Sequence, residues 1–320
     1  MKLSKLSFRN FVHNVYNAFA YDSHQYDLTQ GKQLEYLRLY MVYNQMKQYF
    51  NEDNSALYRD ELDYVMKNGI CHFPYEQQKT VGEVETGYDG RKKMPYVIHK
   101  GKRLYFPHDY TEERAGLQYR RFIEVENLLG GGYTKKAPHQ YQTENFKVEE
   151  GDVFVDVGAA EGLVAFDVVD KSSKVILIES DSYWLPSLKA SFEPYKEKCI
   201  IVHKLVSNKN TLSSVTLGKL LQNERGKPIF IKMDIEGNET SVLNASKDFL
   251  MEADAVKVAC CTYHKNNDAH EIASFFEQLG YQYEFSEGWM IHWTLEEEPI
   301  YPPFFRHGLL RAKKNRTDLI

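Results

Sequence analysis

Several short apolar runs in the chain close on residues that can do chemistry. VFVDVG (153–158) leads into Ala159, Ala160, Glu161 and Gly162; KVILIE (174–179) ends on Glu179, with Ser180 and Asp181 behind it; IFIKMD (229–234) ends on Asp234, with Glu236 two residues on; AVKVACC (255–261) leads into Thr262, Tyr263 and His264. Gly158 and Gly162 allow a tight turn and a close approach of backbone to ligand, and the helix that follows points free N–H groups at it. The dinucleotide fingerprint G-x-G-x-x-G is not met, because Ala160 and Leu163 stand where its second and third glycines belong. Asp156 and Glu161 would repel a pyrophosphate, so a ligand with a cationic group fits the turn better.

Glu179 lies 21 residues after Gly158, the place from which an acid accepts both hydroxyls of an adenosine ribose. Trp184, one helical turn on, could cover an adenine or pack against the sheet, and Asp181 and Ser182 are suited to capping the next helix. Asp234 and Glu236 fall on one side of an extended strand; two carboxylates there could bind a cation, orient an ammonium or serve as a base. His264 can take a proton near neutral pH, or it is an ordinary loop histidine. His264 and His270 do not match H-E-x-x-H, so no catalytic zinc site is expected.

Unbroken apolar runs are strands buried on both faces. Their alternation with helical segments at 163–170, 182–192, 238–250 and 268–279 predicts a parallel sheet wound by crossovers, with ligands bound beyond the carboxyl ends of its strands. WMIHWTL and GLLRAKK, with no helix between them, predict an antiparallel pair at one edge. Upstream, apolar spacing predicts helices around 30–50 and 55–68, the second closed by Gly69. PYVIHKGKRLYFP predicts a hairpin, and a helix over 111–129 starts at Thr111 and stops at the Gly130–Gly132 triplet. That triplet divides the chain into a mainly helical segment, 1–132, and a sheet domain, 133–320.

Composition narrows the classes. The 320 residues carry a net charge of -5 with no basic block, which argues against nucleic-acid binding, and no run is long and apolar enough to span a membrane. Arg9, Asn10, His13 and Asn14 interrupt the amphipathic N-terminus, so no secretory core is read there and a cytoplasmic protein is expected. Cys71, Cys199, Cys260 and Cys261 have no C-x-x-C spacing and read as reduced thiols. Seventeen of the 23 tyrosines fall within residues 1–145. Tyr36, Tyr40, Tyr43 and Tyr49 sit at helical positions suited to packing, whereas Tyr96, Tyr105, Tyr133 and Tyr141 are placed to touch an acceptor.

Taken together, DVGAAEG (156–162), LIESDSYW (177–184), TLGKLL (216–221), IKMDIEGNE (231–239) and TYHKNNDAHEI (262–272) resemble the FkbM family of S-adenosylmethionine-dependent methyltransferases, over about residues 135–315. The resemblance implies a class I methyltransferase fold: an α/β, Rossmann-like, seven-stranded and mostly parallel sheet with an antiparallel last strand. It also implies S-adenosyl-L-methionine as cofactor and methyl transfer to an oxygen of a sugar, glycan precursor or natural product. Carried over by position, Asp156, Gly158, Ala159, Ala160, Glu161 and Gly162 hold the methionine part, Glu179 the ribose with Ser180 and Asp181 beside it, and Trp184 the adenine; Asp234 lies near the methyl group. Asp234 or His264 is the expected base. His139, Tyr141, Glu236, Tyr263 and Arg306 are expected at the acceptor, a small molecule or glycan, and the N-terminal segment at acceptor recognition or self-association. The alternatives are a SAM- or glycan-binding protein without turnover and, against the missing glycines, a nicotinamide-dependent oxidoreductase.

Overall fold

The computed structural model describes residues 30–77, 82–293 and 300–314; the N-terminal stretch read above as lacking a secretory core lies outside them. Helix α1 (Gln30–Tyr49) buries Leu39, Val42 and Met46 along one stripe, and α2 (Arg59–Asn68) follows a single 3-10 turn, Ala56–Tyr58. Gly69 ends α2 at φ +95°, its N–H bonded to Val65 O at 2.8 Å. Of the helical tyrosines, Tyr43 is buried, but Tyr40 and Tyr49 are each 38% exposed, so the packing reading covers only part of that set; nothing is described of the Tyr36 side chain.

The hairpin forms from β2 (Met94–His99) and β3 (Lys102–Tyr105), turning on Lys100 and Gly101 at positive φ. A third strand, β1 (Thr86–Asp89), pairs antiparallel with β2; its TGYD sequence is too short and polar to announce a strand. In α3 (Glu112–Arg120) the Thr111 hydroxyl accepts from Arg114 N at 3.1 Å, as a capping residue should. The helix widens into a π-helical turn, Arg121–Val125, well before the glycine triplet.

From residue 153 the chain follows the predicted alternation: β4 (Val153–Val157), α4 (Leu163–Val168), β5 (Lys174–Glu179), α5 (Leu185–Phe192), β6 (Cys199–His203), the short pair β7 (Leu205–Val206) and β8 (Ser214–Val215), α6 (Leu217–Leu220), β9 (Pro228–Met233), α7 (Glu239–Ala245), α8 (Lys247–Glu252), β10 (Ala255–Cys261), α9 (Asp268–Gln278), β11 (Gln282–Phe285) and β12 (Leu309–Lys314). Seven strands lie in the order β11-β12-β10-β9-β4-β5-β6, with β12 antiparallel to both neighbours and the others parallel. This is the class I methyltransferase sheet.

The antiparallel pair is built differently from expectation. Its outer strand is β11, where Tyr283 and Phe285 alternate with polar residues; among the described residues of WMIHWTL only Met290 makes a bridge, to Arg306. Ile291 and Trp293, with Trp289 beside them, face one cluster with Leu39, Met46, Val65 and Phe305, as alternation predicts, but the run bonds to His72 and Arg306 instead of joining the sheet edge. The helix expected over 238–250 is interrupted at Ser246.

Two apolar layers cover the sheet. Val155, Ile176, Ile229 and Ile231 pack with Leu217, Phe249 and Phe276 on one face. On the other, Phe154, Phe166 and Phe230 share a cluster with Val97, Leu104, Phe106, Tyr119 and Ile123. The segment before residue 133 therefore contributes to the same core as the sheet. Phe106 is fully buried in that layer. Phe106→Ala is expected to cost about 3–5 kcal/mol and to lower the urea midpoint of the whole sheet in one transition, followed by far-UV circular dichroism; loss of structure confined to residues before 133 would show that the two parts unfold independently.

Candidate functional site at the switch point of the sheet

The chain leaves β4 toward β5 and β6 on one side, while β9 leads to β10 on the other. The adjacent carboxyl ends of β4 and β9 therefore diverge, and a crevice opens there. Strand register sets Asp156 beside Lys232, and Lys232 Nζ lies 2.9 Å from Asp156 Oδ1 and donates to Gly158 O at 2.5 Å. Both side chains are buried. Burial pushes the Asp156 carboxyl up, with Lys232 opposing; Asp156 and Asp234 hold Lys232 charged against the same burial.

The glycines of the turn are required by the protein's own packing, Gly158 against backbone and Gly162 against side chains. At Gly158, φ is +78°, and a Cβ would stand 1.9 Å from the Asp234 carbonyl oxygen. At Gly162, also left-handed, a Cβ would lie 2.8 Å from Leu188 Cδ2 and 2.9 Å from Phe192 Cε2. Gly162 thus fits α4 against α5. Ala160 N donates to Glu179 Oε2 at 2.8 Å and Asp181 N to Oε1 at 2.7 Å, so the carboxylate is fixed at the strand end. Asp181 Oδ1 accepts from Tyr183 N at 2.9 Å, and α5 starts only at Leu185; the cap expected from Ser182 is absent.

A cleft of about 460 Å³ occupies the crevice. Asp156, Gly158, Ala159, Ala160, Glu161, Glu179, Ser180, Asp181 and Trp184 line it on the β4–β5 side, and His139, Tyr141, Asp234 and Glu236 on the other. Phe122, Glu126, Leu128, Lys204 and Lys232 are also in the wall; sequence reasoning missed them, although the acids in the apolar stretch FIEVENLL were a signal for Glu126. Gly162, Tyr263, His264 and Arg306 are not in the lining. Arg306 instead donates to the carbonyls of Tyr263 and His264 and, at 2.7 Å, to Asn266 Oδ1, bracing that segment from behind. Tyr96 and Tyr105 pack with Met94 and Ala190 away from the cleft, and Tyr133 lies against the core. A hollow of about 490 Å³ at Lys92, Pro186 and Lys189 carries no strand-end acid and no chemistry.

Asp234 is the hub. Its N–H bonds to Val157 O at 3.0 Å; Oδ2 accepts from Tyr141 OH at 3.0 Å and lies 3.5 Å from His139 Nε2; Oδ1 accepts from Tyr263 OH at 3.3 Å and lies 3.4 Å from His264 Nε2. Burial opposes its charge, but His139, Lys232 and His264 prevail and hold the carboxyl well below the usual carboxylate range. Burial lowers His139, whereas Asp234 and Glu126 raise it further, to about 9; Glu126 Oε2 is 3.3 Å from His139 Nδ1. Against burial, Glu239 and Asp234 raise His264. Glu161 behaves differently: burial pushes it up to about 7, a backbone hydrogen bond and Lys232 opposing.

Residues 138–283 match the methyltransferase FkbM domain, and no curated protein matches the chain. Among solved structures it is similar to methyltransferase FkbM from Methylobacillus flagellatus KT, at 20% identity and a TM-score of 0.40 over 52% of this chain and 44% of that one; it thus spans under half of that relative's length. It is also similar to M. jannaschii TYW2 in complex with AdoMet (14% identity, TM-score 0.38, 71% of this chain and 89% of that one) and to Trm5b from Pyrococcus abyssi (12%, 0.36, 69% and 55%).

Two outcomes follow from the geometry. Gly158→Ala cannot keep the crossing with Asp234 and is expected to lower the melting temperature by several degrees or abolish soluble folding, whereas Gly151→Ala, where a Cβ meets nothing within 4 Å, costs only its left-handed strain. Glu161 has a folded pKa of about 7 against 4.5 for the free side chain, so the folded state holds the proton more tightly and this group's contribution to stability falls as pH rises through that window. Glu161→Gln should therefore be more stable than the wild type at pH 8, by up to about 3 kcal/mol, with the gain gone near pH 4; urea unfolding at both pH values reads it, and no gain at pH 8 refutes the assignment.

Proposed function

Since residues 138–283 belong to the methyltransferase FkbM family, we propose that this protein transfers a methyl group from S-adenosylmethionine to a hydroxyl of a sugar, glycan precursor or natural product. One observation carries the reading: the acids Glu126, Asp156, Glu161, Glu179, Asp181, Asp234 and Glu236 line one cleft at the switch point and outnumber its lysines, Lys204 and Lys232, the second of which is paired with Asp156. Such a wall suits a sulfonium and an ammonium and repels a pyrophosphate. A volume near 460 Å³ is in the range of cofactor pockets.

In this reading the turn 158–162 and Asp156 hold the methionine part, Glu179 takes the ribose hydroxyls with Ser180 and Asp181 beside it, and half-buried Trp184 covers the adenine. When bound, the cofactor would supply an electrophilic methyl carbon to an acceptor oxygen, with the thioether S-adenosylhomocysteine as the leaving group that keeps the C–S electron pair. The chain's part is to align that oxygen and exclude water. Asp234, held ionised, accepts a hydrogen bond from the acceptor hydroxyl. It takes the proton as the O–C bond forms, when that oxygen becomes far more acidic than any carboxylic acid. A weak base suffices at that late stage, so the low Asp234 pKa is no obstacle. His264, raised and buried behind Asp234, positions it rather than acting as the base. His139, Tyr141 and Glu236 face the acceptor, and Phe122, Glu126 and Leu128 bring the segment before residue 133 to it. Tyr263 and Arg306 act one layer behind. Free thiols at Cys71, Cys199, Cys260 and Cys261 favour a reducing compartment such as the cytoplasm.

S-adenosylhomocysteine should raise the melting temperature, and NAD should not; stabilisation by NAD alone overturns the proposal. Glu179→Ala is expected to weaken S-adenosylhomocysteine binding at least tenfold by calorimetry. Asp234→Asn should lower kcat by about 10²–10⁴ while cofactor affinity changes by no more than a few fold, turnover being read as a gain of one CH2 unit on candidate glycans by mass spectrometry.

A further inference from the structure

We propose that Glu126 is a positioning residue: reaching the cleft from the segment before the family-matched residues, it keeps His139 as an imidazolium, which through Tyr141 fixes the carboxylate of Asp234. The protonation of His139 follows from counting hydrogens. Tyr141 OH donates to Asp234 Oδ2 at 3.0 Å, so its one proton is spent there. At 2.9 Å from His139 Nε2 that hydroxyl can only accept, and Nε2 therefore carries a hydrogen. Across the ring, Nδ1 lies 3.3 Å from Glu126 Oε2. A carboxylate oxygen cannot donate, and a bare nitrogen there would set two lone pairs against each other, so Nδ1 is protonated as well. Cys261 Sγ, 3.5 Å from Tyr141 OH and 3.6 Å from Nε2, is too weak a partner to change the count.

The ring is held in that direction. Phe73 stacks on His139, centroids 6.0 Å apart at 13°, and Tyr263 meets it edge-on at 5.3 Å and 88°. Glu126 is itself kept an anion: burial opposes its charge, but His139, Arg121 and His72 hold the carboxyl below its usual range, with Arg121 Nε 3.3 Å from Oε1. The Nδ1 contact is ionic, its alignment being too poor for a hydrogen bond, so what Glu126 supplies is charge. Burial and the Asp234 charge push the Tyr141 and Tyr263 hydroxyls and the Cys261 thiol up, so of the groups around the ring His139 is the one that changes charge near pH 9. The other side of Asp234 is built alike, with His264 Nε2 3.4 Å from Oδ1 and Nδ1 3.1 Å from Glu239 Oε1, but His264 and Glu239 do not line the cleft. The Glu126 arm does, and it stands beside the acceptor. Its part in methyl transfer rests on the methyltransferase reading; the coupling of Glu126 to His139 does not.

The test compares the full chain with Glu126→Gln, which keeps the shape and removes the charge. The His139 ring is titrated by NMR, its signal assigned with His139→Gln, and kcat is followed against pH with S-adenosylmethionine and the candidate glycans. In Glu126→Gln the His139 pKa should fall from about 9 by about 1–3 units, and the alkaline fall of kcat should move with it. A move of about two units lowers kcat about tenfold at pH 8 and scarcely changes it at pH 6. Glu126→Asp, which restores the charge, should return most of the shift. An unmoved His139, a moved His139 with the kcat profile in place, or a loss of kcat equal at every pH, as damaged packing would give, overturns the proposal. S-adenosylhomocysteine binding, measured by calorimetry on the same samples, separates the two readings: a shifted His139 in a chain that binds no S-adenosylhomocysteine upholds the coupling and overturns the cofactor assignment alone.

Discussion

The buried pair Lys232–Asp156 is the constraint on which the site depends. It ties the two central strands where their paths diverge, and Lys232 also holds the carbonyl of Gly158. A buried pair of this kind adds little stability over an apolar replacement, but removing one partner strands a charge at a cost of about 3–5 kcal/mol. Its effect is therefore positional. It sets where β4 turns away, and hence how the Gly158 backbone passes the Asp234 carbonyl with no room for a Cβ. The turn, the strand-end acids and the cleft between them inherit their geometry from that crossing.

Charge around Asp234 is arranged in layers. Glu126 and Asp234 flank His139, and Arg121 Nε lies 3.3 Å from Glu126 Oε1, so alternating signs run from the surface into the cleft wall. The alternation keeps Asp234 ionised despite burial and leaves Glu161, which lacks such a close cation, as the group most easily neutralised. Asp234 and Glu161, two acids facing one cleft, thus have opposite electrostatic characters because their neighbours differ, not their own chemistry.

Much of this was legible in the sequence. The doubly buried strands announced themselves as unbroken Val, Ile and Phe runs, and the acids that end them fell where a parallel sheet opens its crevice. What stayed hidden depended on tertiary context. TGYD becomes a strand only because β2 offers an edge; the run Trp289–Trp293 keeps its alternation but bonds to His72 and Arg306 rather than to the sheet edge; Arg306 turns to backbone carbonyls rather than to the cleft. Glu126 reaches the cleft wall from the end of a π-helical turn, a feature without a sequence period. The glycines were found as the tight turn that their left-handed φ values bear out, but that the protein's own chain fills the space beside them had no signal in the sequence.

The layer shared between the early segment and the sheet has a consequence for how this protein can change over time. Leu128 is both a core residue beside Phe154 and part of the cleft wall, and Phe122 packs against the same layer while facing the cleft. A substitution that reshapes the wall here also disturbs the packing that keeps the sheet covered. Under the proposed methyl transfer, adaptation to a new acceptor by this route would be coupled to loss of stability. Glu236, on the opposite rim and largely exposed, is free of that coupling, so divergence among descendants of this chain should accumulate on the Glu236 rim faster than on the Leu128 wall.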